Sequence, residues 1–262
     1  KRVDGVLGSD AAHKAAADAS DTERFILIDG DNIPDAAFFN QQLTLDQNSR
    51  DCVFRWRARN NINGLQYGNG GLSSWTKDFV YNMRTHEASD GTNETLVEFC
   101  FHPQYWAMAD CYSTTYPNGS AFQSWRAGFR EGVKMALDRG ARPSIDTFES
   151  KVASRNYDNL CIWHTVGRDN PNGIWAIYGS RLGTHMTMLT DWDYTKVQWF
   201  DYLGELWNEH SGVDVEAETQ RLGADLKRRL GLSIAEMDAD SSTFFKHHYR
   251  ASFTNRGPMV RG

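Results

Sequence analysis

The chain predicts an α/β fold, a mixed sheet flanked by helices, and three observations carry that expectation. An alanine-rich segment runs almost directly into a wholly apolar one, residues 51–57 alternate apolar and charged side chains, and two later segments repeat apolar residues at helical spacing. With 262 residues, 13% of them aromatic and 9 of them Trp, the chain has the apolar bulk for a real core, so disorder is not the default.

The elements follow in order. Residues 9–20 read as a helix, because alanine is the best helix former and Ser9 or Asp10 can cap it. Phe25 to Ile28 form a continuous apolar run, which reads as a strand buried on both faces. Gly30 permits a tight turn after it, and Pro34 bars the strand from continuing. Helix followed by buried strand is the second half of a β-α-β unit, so an earlier strand is expected at Arg2–Val6 or upstream of Lys1, and the chain opens like the middle of a domain. Asp51–Arg57 reads as a strand. It enters a polar stretch, residues 58–71, whose four Gly and four Asn predict irregular backbone with positive φ. Trp56, Tyr67 and Trp75 bracket that stretch, which argues for an ordered, functional loop. Thr76–Arg84 is a short helix or a strand. Ala121–Arg139 is the clearest helix, with Phe122, Trp125, Phe129, Val133 and Leu137 on one face and Arg126, Arg130 and Lys134 on a neighbouring stripe. That stripe is either a solvated face, with Glu131 pairing across it, or a phosphate-binding one. Gly140 and Pro143 end this helix. Residues 159–181, rich in Trp, Gly and Asn, are expected to pack on the core. Val213–Leu230 is a second amphipathic helix, and from Ser241 the tail is polar with one aromatic patch. The expected organisation is a catalytic domain over residues 1–200 and a helical extension with a tail over 201–262.

The net charge of −6 and pI of about 5.7 give no general attraction to nucleic acid or anionic membrane. Cys52, Cys100, Cys111 and Cys161 form no Cys-x-x-Cys pair and no zinc-spaced cluster, which fits a reducing, cytoplasmic setting. No segment reaches 18 uninterrupted apolar residues, so neither a membrane span nor a signal peptide is expected from these residues. The oligomeric state stays open.

The chemistry concentrates at Asp29 and Asp31. Both sit at the carboxyl end of the apolar strand, where open α/β sheets bind ligands. Two carboxylates there repel unless a cation or proton intervenes, and oxygen-loving Mg²⁺ or Mn²⁺ is the simplest remedy. An Asp-Gly turn, or a helix cap at Asp31-Asn32, accounts for the same residues without a ligand.

The order of motifs resembles nucleotide-sugar glycosyltransferases of the GT-A fold. These carry a Gly-x-Ser-x-Ala-Arg-Asn-type helix start followed by an apolar strand ending in Asp-x-Asp. Gly8, His13, Lys14 and Phe25–Asp31 fall in that register, with His13 at the family's arginine position and Lys14 at its asparagine position. The chain is more similar still to glycosyltransferases encoded by tailed bacteriophages. Those share an Ala-His-x-Ala-Ala helix, an Asp-Gly-Asp strand end, an Asn-x-Ile-Asn-Gly-Leu-x-Tyr-Gly-x-Gly-Gly loop and a Phe-x-x-Trp-Arg-x-x-Phe-Arg-Glu-x-x-Lys helix, matched here by His13, Asp29–Asp31, Trp56–Gly71 and Phe122–Lys134. The resemblance spans residues 1–190. It implies a GT-A-like, Rossmann-related fold lacking its first βα unit, and a metal-dependent hexosyl- or pentosyltransferase in the cytoplasm of an infected bacterial host.

That resemblance assigns roles. Asp29 and Asp31 would hold Mn²⁺ or Mg²⁺ on the diphosphate of a nucleoside diphosphate sugar, a UDP-sugar by preference, with His185 completing the metal shell and His164 as the other candidate. His13, Lys14, Asp29, Gly70 and Gly71 would bind the donor. Trp56, Asn63, Tyr67, Asn69, Arg126 and Arg130, with Trp75 beside them, would contact substrate. Glu87 would be the base if the enzyme inverts, with Asp110 second, whereas a retaining enzyme would need no such base. A hydroxylated pyrimidine in phage DNA is one acceptor the resemblance implies. Competing readings are a metal-dependent nuclease of NYN/PIN type, a haloacid-dehalogenase-type phosphatase and a non-catalytic phage sugar-binding protein.

Overall fold

The computed structural model describes residues 1–83 and 104–249. It is an α/β protein with a mixed sheet, five-stranded among the described residues, flanked by helices. Helix α1 (Ser9–Ala19) leads into strand β1 (Arg24–Ile28), and β2 (Asn32–Pro34) follows after a short turn. Strands β3 (Val53–Asn60) and β4 (Gln66–Thr76) form a hairpin, and α2 (Lys77–Asn82) continues from it. Strand β5 (Tyr105–Thr115) completes the sheet. The helical layer contains α3 (Ala121–Met135), α4 (Phe148–Lys151), α5 (Ser154–Trp163), α6 (Gly173–Leu189), α7 (Phe200–His210), α8 (Val215–Leu230) and α9 (Ala239–His248).

The strand order is β1-β4-β3-β5-β2, with three antiparallel pairings and one parallel pairing, β3 with β5. The expected first strand at Arg2–Val6 is not formed. Strand β1 lies at an edge, with Ile26 and Ile28 exposed, which corrects the expectation of a strand buried on both faces. Phe25 and Leu27 pack inward on Ala17, Trp75, Phe79 and Val80, whereas Ile26 and Ile28 point away from that cluster and stay exposed among the described residues. Helix α1 begins after Gly8, at φ 89°, so the N-cap position falls to Gly8 rather than to Ser9 or Asp10. Thr76 caps α2 by accepting from the Phe79 N–H, which makes that segment a helix.

Consecutive strands β1 and β2 occupy opposite edges. In a flat sheet four strand spacings would hold them about 19 Å apart. The four residues from Ile28 to Asn32 span at most about 14 Å. The sheet therefore curls, and the Asp29–Asp31 turn ties its two edges together at one end. The curl is built from irregular pairing. Between the pairs Trp56↔Leu72 and Ala58↔Tyr67, β3 advances two residues and β4 five. The glycine-rich stretch expected to be an ordered loop is thus the end of β3, a hairpin turn and a bulged β4, with the expected positive φ at Gly64 and Gly71.

The hairpin turn between β3 and β4 is buried against the helices. Ile62 and Leu65 enter a cluster with Phe148, Leu160, Trp163, Leu226 and Leu230. Asn170 Nδ2 donates to the carbonyls of Asn61 and Ile62, both at 3.1 Å. Lys246 of α9 pairs with Asp169 and also donates to Asn61 O. The core runs on past residue 200: Leu203, Leu206 and Leu222 share a cluster with Trp125, Phe129 and Tyr178.

Helices α3 and α6 approach closely at glycines on both. A Cβ on Gly128 would lie 2.0 Å from Ala176 O, and one on Gly132 would lie 2.2 Å from Ser180 O. From the other helix, a Cβ on Gly179 would lie 2.2 Å from Trp125 O, and one on Gly183 would lie 2.4 Å from Phe129 O. Helix α3 ends at Met135, four residues short of the expected Arg139, because Arg139 (φ 51°) and Gly140 (φ 87°) form a tight turn closed by an Asp138–Ala141 bridge. Helix α6 lies where residues 159–181 were expected only to pack on the core. It is buried on nearly every side, so it carries no polar stripe that would mark it as a helix. Among the described residues, no helix is long and apolar enough to cross a membrane.

Candidate active site

The Asp29–Asp31 turn is held by its backbone on both sides. Asp29 N–H donates to Gly71 O at 2.8 Å, and Asn32 N–H donates to Asp29 O at 3.0 Å. Tyr116 N–H, just past β5, donates to Asp31 O at 2.7 Å. Both aspartates thereby face a cavity of about 570 Å³ between the curled end of the sheet and helices α3 and α5. Asp29 also borders a second cavity of about 1020 Å³ on its other side, against α1. Its residue stays open to solvent, while the protein around its carboxylate displaces much of the water. That desolvation, with the charge of Asp31 added, raises the Asp29 carboxyl from 3.8 to about 6.

The opposite wall is basic. Arg130 and Lys134 reach the cavity from α3, Arg155 from α5 and Arg55 from β3. Burial lowers the Arg130 guanidinium from its ordinary value, with Glu131 opposing. Burial lowers Arg155 too, and the neighbouring charges of Arg57 and Arg55 add to that effect. Arg126 is lowered by burial, and Asp31 opposes the shift, so its guanidinium senses the acidic end of the cavity. Phe200, at the start of α7, lies over both Arg126 (5.0 Å) and Arg130 (5.5 Å). The Arg126–Arg130–Lys134 stripe is therefore half-buried beside the aspartates rather than a freely solvated face.

Three carboxylates, Asp29, Asp31 and Glu131, line this cavity against four cations. A divalent ion on the aspartate pair would raise the net charge of the lining from about +1 to about +3, which suits a polyanion such as a diphosphate. The residues present fit such an ion: two carboxylates one residue apart, one already pushed toward protonation by burial and, secondarily, by its neighbour. Among the described residues, no group of three or more His, Cys, Asp or Glu gathers. The remaining coordination positions would fall to phosphate oxygens and water, the habit of Mg²⁺ and Mn²⁺.

The structure brings Asp29, Asp31, Gly71, Tyr67 and Arg130 to one cavity. It puts others elsewhere. His13 borders the second cavity with Asp29, its Nδ1 2.7 Å from Ser9 O and its ring edge-on to Trp75. Lys14 pairs with Asp10 on the same helix, at 2.7 Å. Trp56 is buried on the other face of the sheet against Phe38, because residues alternate along β3, and so does not contact this cavity. Trp75 is buried in the sheet–α1–α2 cluster. Asn63 is fully buried in the hairpin turn, where its Oδ1 accepts from Leu65 N–H at 3.1 Å, so its role there is structural. Asn69 and Gly70 lie in the bulge of β4. Asp110 is exposed on β5 and does not line the cavity. Glu87 lies outside the described residues.

The two histidine candidates are both engaged at helix contacts. His185 Nε2 faces Asp225 Oδ2 of α8 at 3.1 Å and does not line the cavity. His164 is fully buried, with Nε2 3.1 Å from Thr184 Oγ1, and its carbonyl accepts from Arg181 Nε and Nη2. Burial and the adjacent Arg181 charge push its pKa down to about 3, so it is a neutral core residue.

Arg55, Arg155 and Trp163 line the cavity without having been singled out as site residues. For Arg55 the signal was present: the alternation Phe54-Arg55-Trp56-Arg57 sets the arginines on the face opposite Phe54 and Trp56. No protein-family model, no curated protein and no solved structure matches the chain.

Proposed function

We propose that the protein is a metal-dependent glycosyltransferase that moves a sugar from a nucleoside diphosphate sugar to an acceptor hydroxyl. The observation that supports this reading best is the single cavity in which Asp29 and Asp31 face Arg55, Arg130, Lys134 and Arg155. In such a transfer the bond between the anomeric carbon and the phosphate oxygen breaks as the acceptor oxygen attacks that carbon. The nucleoside diphosphate leaves with the bonding electrons.

Asp29 and Asp31 would hold Mn²⁺ or Mg²⁺, which supplies Lewis-acid neutralisation of the departing diphosphate. Arg130, Lys134, Arg155 and Arg55 would carry the rest of that charge from fixed positions, where it costs no reorganisation. Gly71 lets the backbone of β4 run close to Asp29, as a donor sugar lying across β4 requires. A nuclease cleaving by two metals would want further carboxylates beside the pair, whereas here the wall opposite is cationic.

Incubation with Mn²⁺ and a panel of nucleotide sugars tests the reading. Release of free nucleoside diphosphate that needs both the metal and Asp31 is the expected result. RNA cleavage without any such release would replace transferase by nuclease, and binding of free sugar without either reaction would replace it by a sugar-binding module.

A further inference from the structure

Glu131 stands apart from the other carboxylates of the cavity. It sits on α3 and lines the cavity with Arg130 and Lys134, yet its Oε2 is held by the phenolic hydroxyl of Tyr67 on β4. The Trp163 indole of α5 donates Nε1–H to that same phenol oxygen at 2.6 Å. Burial and the charge of Glu131 raise the Tyr67 phenol well above its ordinary value, so the phenol keeps its proton and is the donor to Glu131. A relay from three elements, Trp163 to Tyr67 to Glu131, therefore fixes one carboxylate oxygen.

Position separates this carboxylate from the metal end. Tyr67 and Gly71 are four residues apart on β4, and Gly71 touches Asp29. Backbone of that length spans at most about 13 Å, less when bulged. A sugar ring on a diphosphate held at Asp29 and Asp31 would lie between the two ends. With both aspartates committed to a cation, Glu131 is the remaining carboxylate among the described residues of the cavity lining.

We infer that Glu131 is a catalytic residue that takes the proton of the acceptor hydroxyl, with Tyr67 as its positioning residue. The assignment rests on the glycosyltransferase reading. The acceptor O–H bond breaks toward Glu131, the acceptor oxygen forms its bond to the anomeric carbon, and the bond to the diphosphate oxygen breaks on the opposite side of that carbon. Atoms and charge balance, with the proton on Glu131 and the electron pair on the nucleoside diphosphate. Attack opposite the leaving group inverts the anomeric configuration.

The test compares wild type, Glu131→Gln, Glu131→Ala and Tyr67→Phe. Two quantities are read: affinity for UDP with Mn²⁺, and turnover of UDP-sugars. Turnover is measured with water as acceptor and, in parallel, with an oligonucleotide carrying 5-hydroxymethylpyrimidines. Glu131→Gln is expected to lower kcat by 10²- to 10⁴-fold while UDP·Mn²⁺ affinity stays within twofold. Added formate is expected to restore part of the turnover of Glu131→Ala. Tyr67→Phe is expected to lower kcat about tenfold at unchanged KM for the donor, and the product is expected to carry the inverted anomer. Turnover of Glu131→Gln within threefold of wild type, a retained anomer, or a loss of UDP·Mn²⁺ affinity as large as the loss of turnover would each overturn the Glu131 assignment alone. Wild-type protein that binds no nucleoside diphosphate with Mn²⁺ would overturn the transferase reading beneath it.

Discussion

The Asp29 N–H donates to the Gly71 carbonyl at 2.8 Å, and Gly71, at φ 69°, leaves no room for a side chain: a Cβ there would lie 2.7 Å from Asp29 Oδ2. The glycine thus sets where the first aspartate of the pair can stand. Gly71→Ala forces either a strained left-handed backbone, at about 1–2 kcal/mol, or a displaced Asp29. The expected outcome is a stability loss of about 2 kcal/mol in denaturant titration, with Mn²⁺ affinity reduced at least tenfold in calorimetry.

Asp29 itself should cost stability when ionised. Its carboxyl titrates at about 6 in the folded protein against an ordinary 3.8. Between those values the folded chain binds a proton that the unfolded chain has released, so metal-free stability falls as pH rises from about 4 to about 6. Solvent access discounts the effect to about 1 kcal/mol. Asp29→Asn should flatten that slope, raise the thermal midpoint of the metal-free protein at pH 7 and abolish its stabilisation by Mn²⁺. Melting curves across pH, with and without the metal, check all three.

The basic wall depends on the α3–α6 crossing, because α3 carries Arg130, Glu131 and Lys134. Gly132→Ala would press a methyl against Ser180 O, a main-chain atom that cannot swing aside. Overpacking of this kind costs about 1–3 kcal/mol, and separating the helices should also weaken UDP·Mn²⁺ binding. Gly204→Ala in α7 is the control, since a Cβ there meets nothing within 4 Å. It should stabilise slightly, by about 0.5–1 kcal/mol.

His164 and His185 should leave metal binding untouched. Mn²⁺ affinity in His185→Gln is expected within twofold of wild type. His164, pushed down to about 3, is neutral in the fold, while the unfolded chain takes up its proton near 6.5. Its contribution is complete above about pH 6.5 and is lost as pH falls toward 3, so the protein should weaken in mild acid. Hydrogen exchange of α5 and α6 between pH 7 and pH 5 would report it.

Much of this architecture was legible in the residues, and the failures have identifiable causes. Helices α1, α3 and α8 announced themselves by alanine content or an apolar stripe, and Gly30 and Pro34 marked the turn that carries the aspartates. Residues 25–28 looked buried on both sides because four apolar residues in a row do not say whether a covering layer exists. The Gly/Asn stretch looked like a loop because a bulged strand uses the same glycines, and only pairing to β1 and β3 separates the two. Helix α6 stayed hidden by uniform burial, although Gly128-x-x-x-Gly132 and Gly179-x-x-x-Gly183 were a written hint that two helices cross closely. Arg155 and Trp163 reach the cavity through the α3–α5 packing, and no local pattern predicts a partner chosen by tertiary structure.

In the proposed function, Asp29 and Asp31 would hold a divalent ion and the facing guanidinium groups would hold the diphosphate that accompanies it. Titration calorimetry of UDP into the protein, with Mn²⁺ and with EDTA, tests this most directly, with Asp31→Ala and Arg130→Ala alongside wild type. Binding that needs Mn²⁺, vanishes in Asp31→Ala and weakens at least tenfold in Arg130→Ala is the predicted result. Binding of equal strength in EDTA, or unchanged in Asp31→Ala, would contradict it.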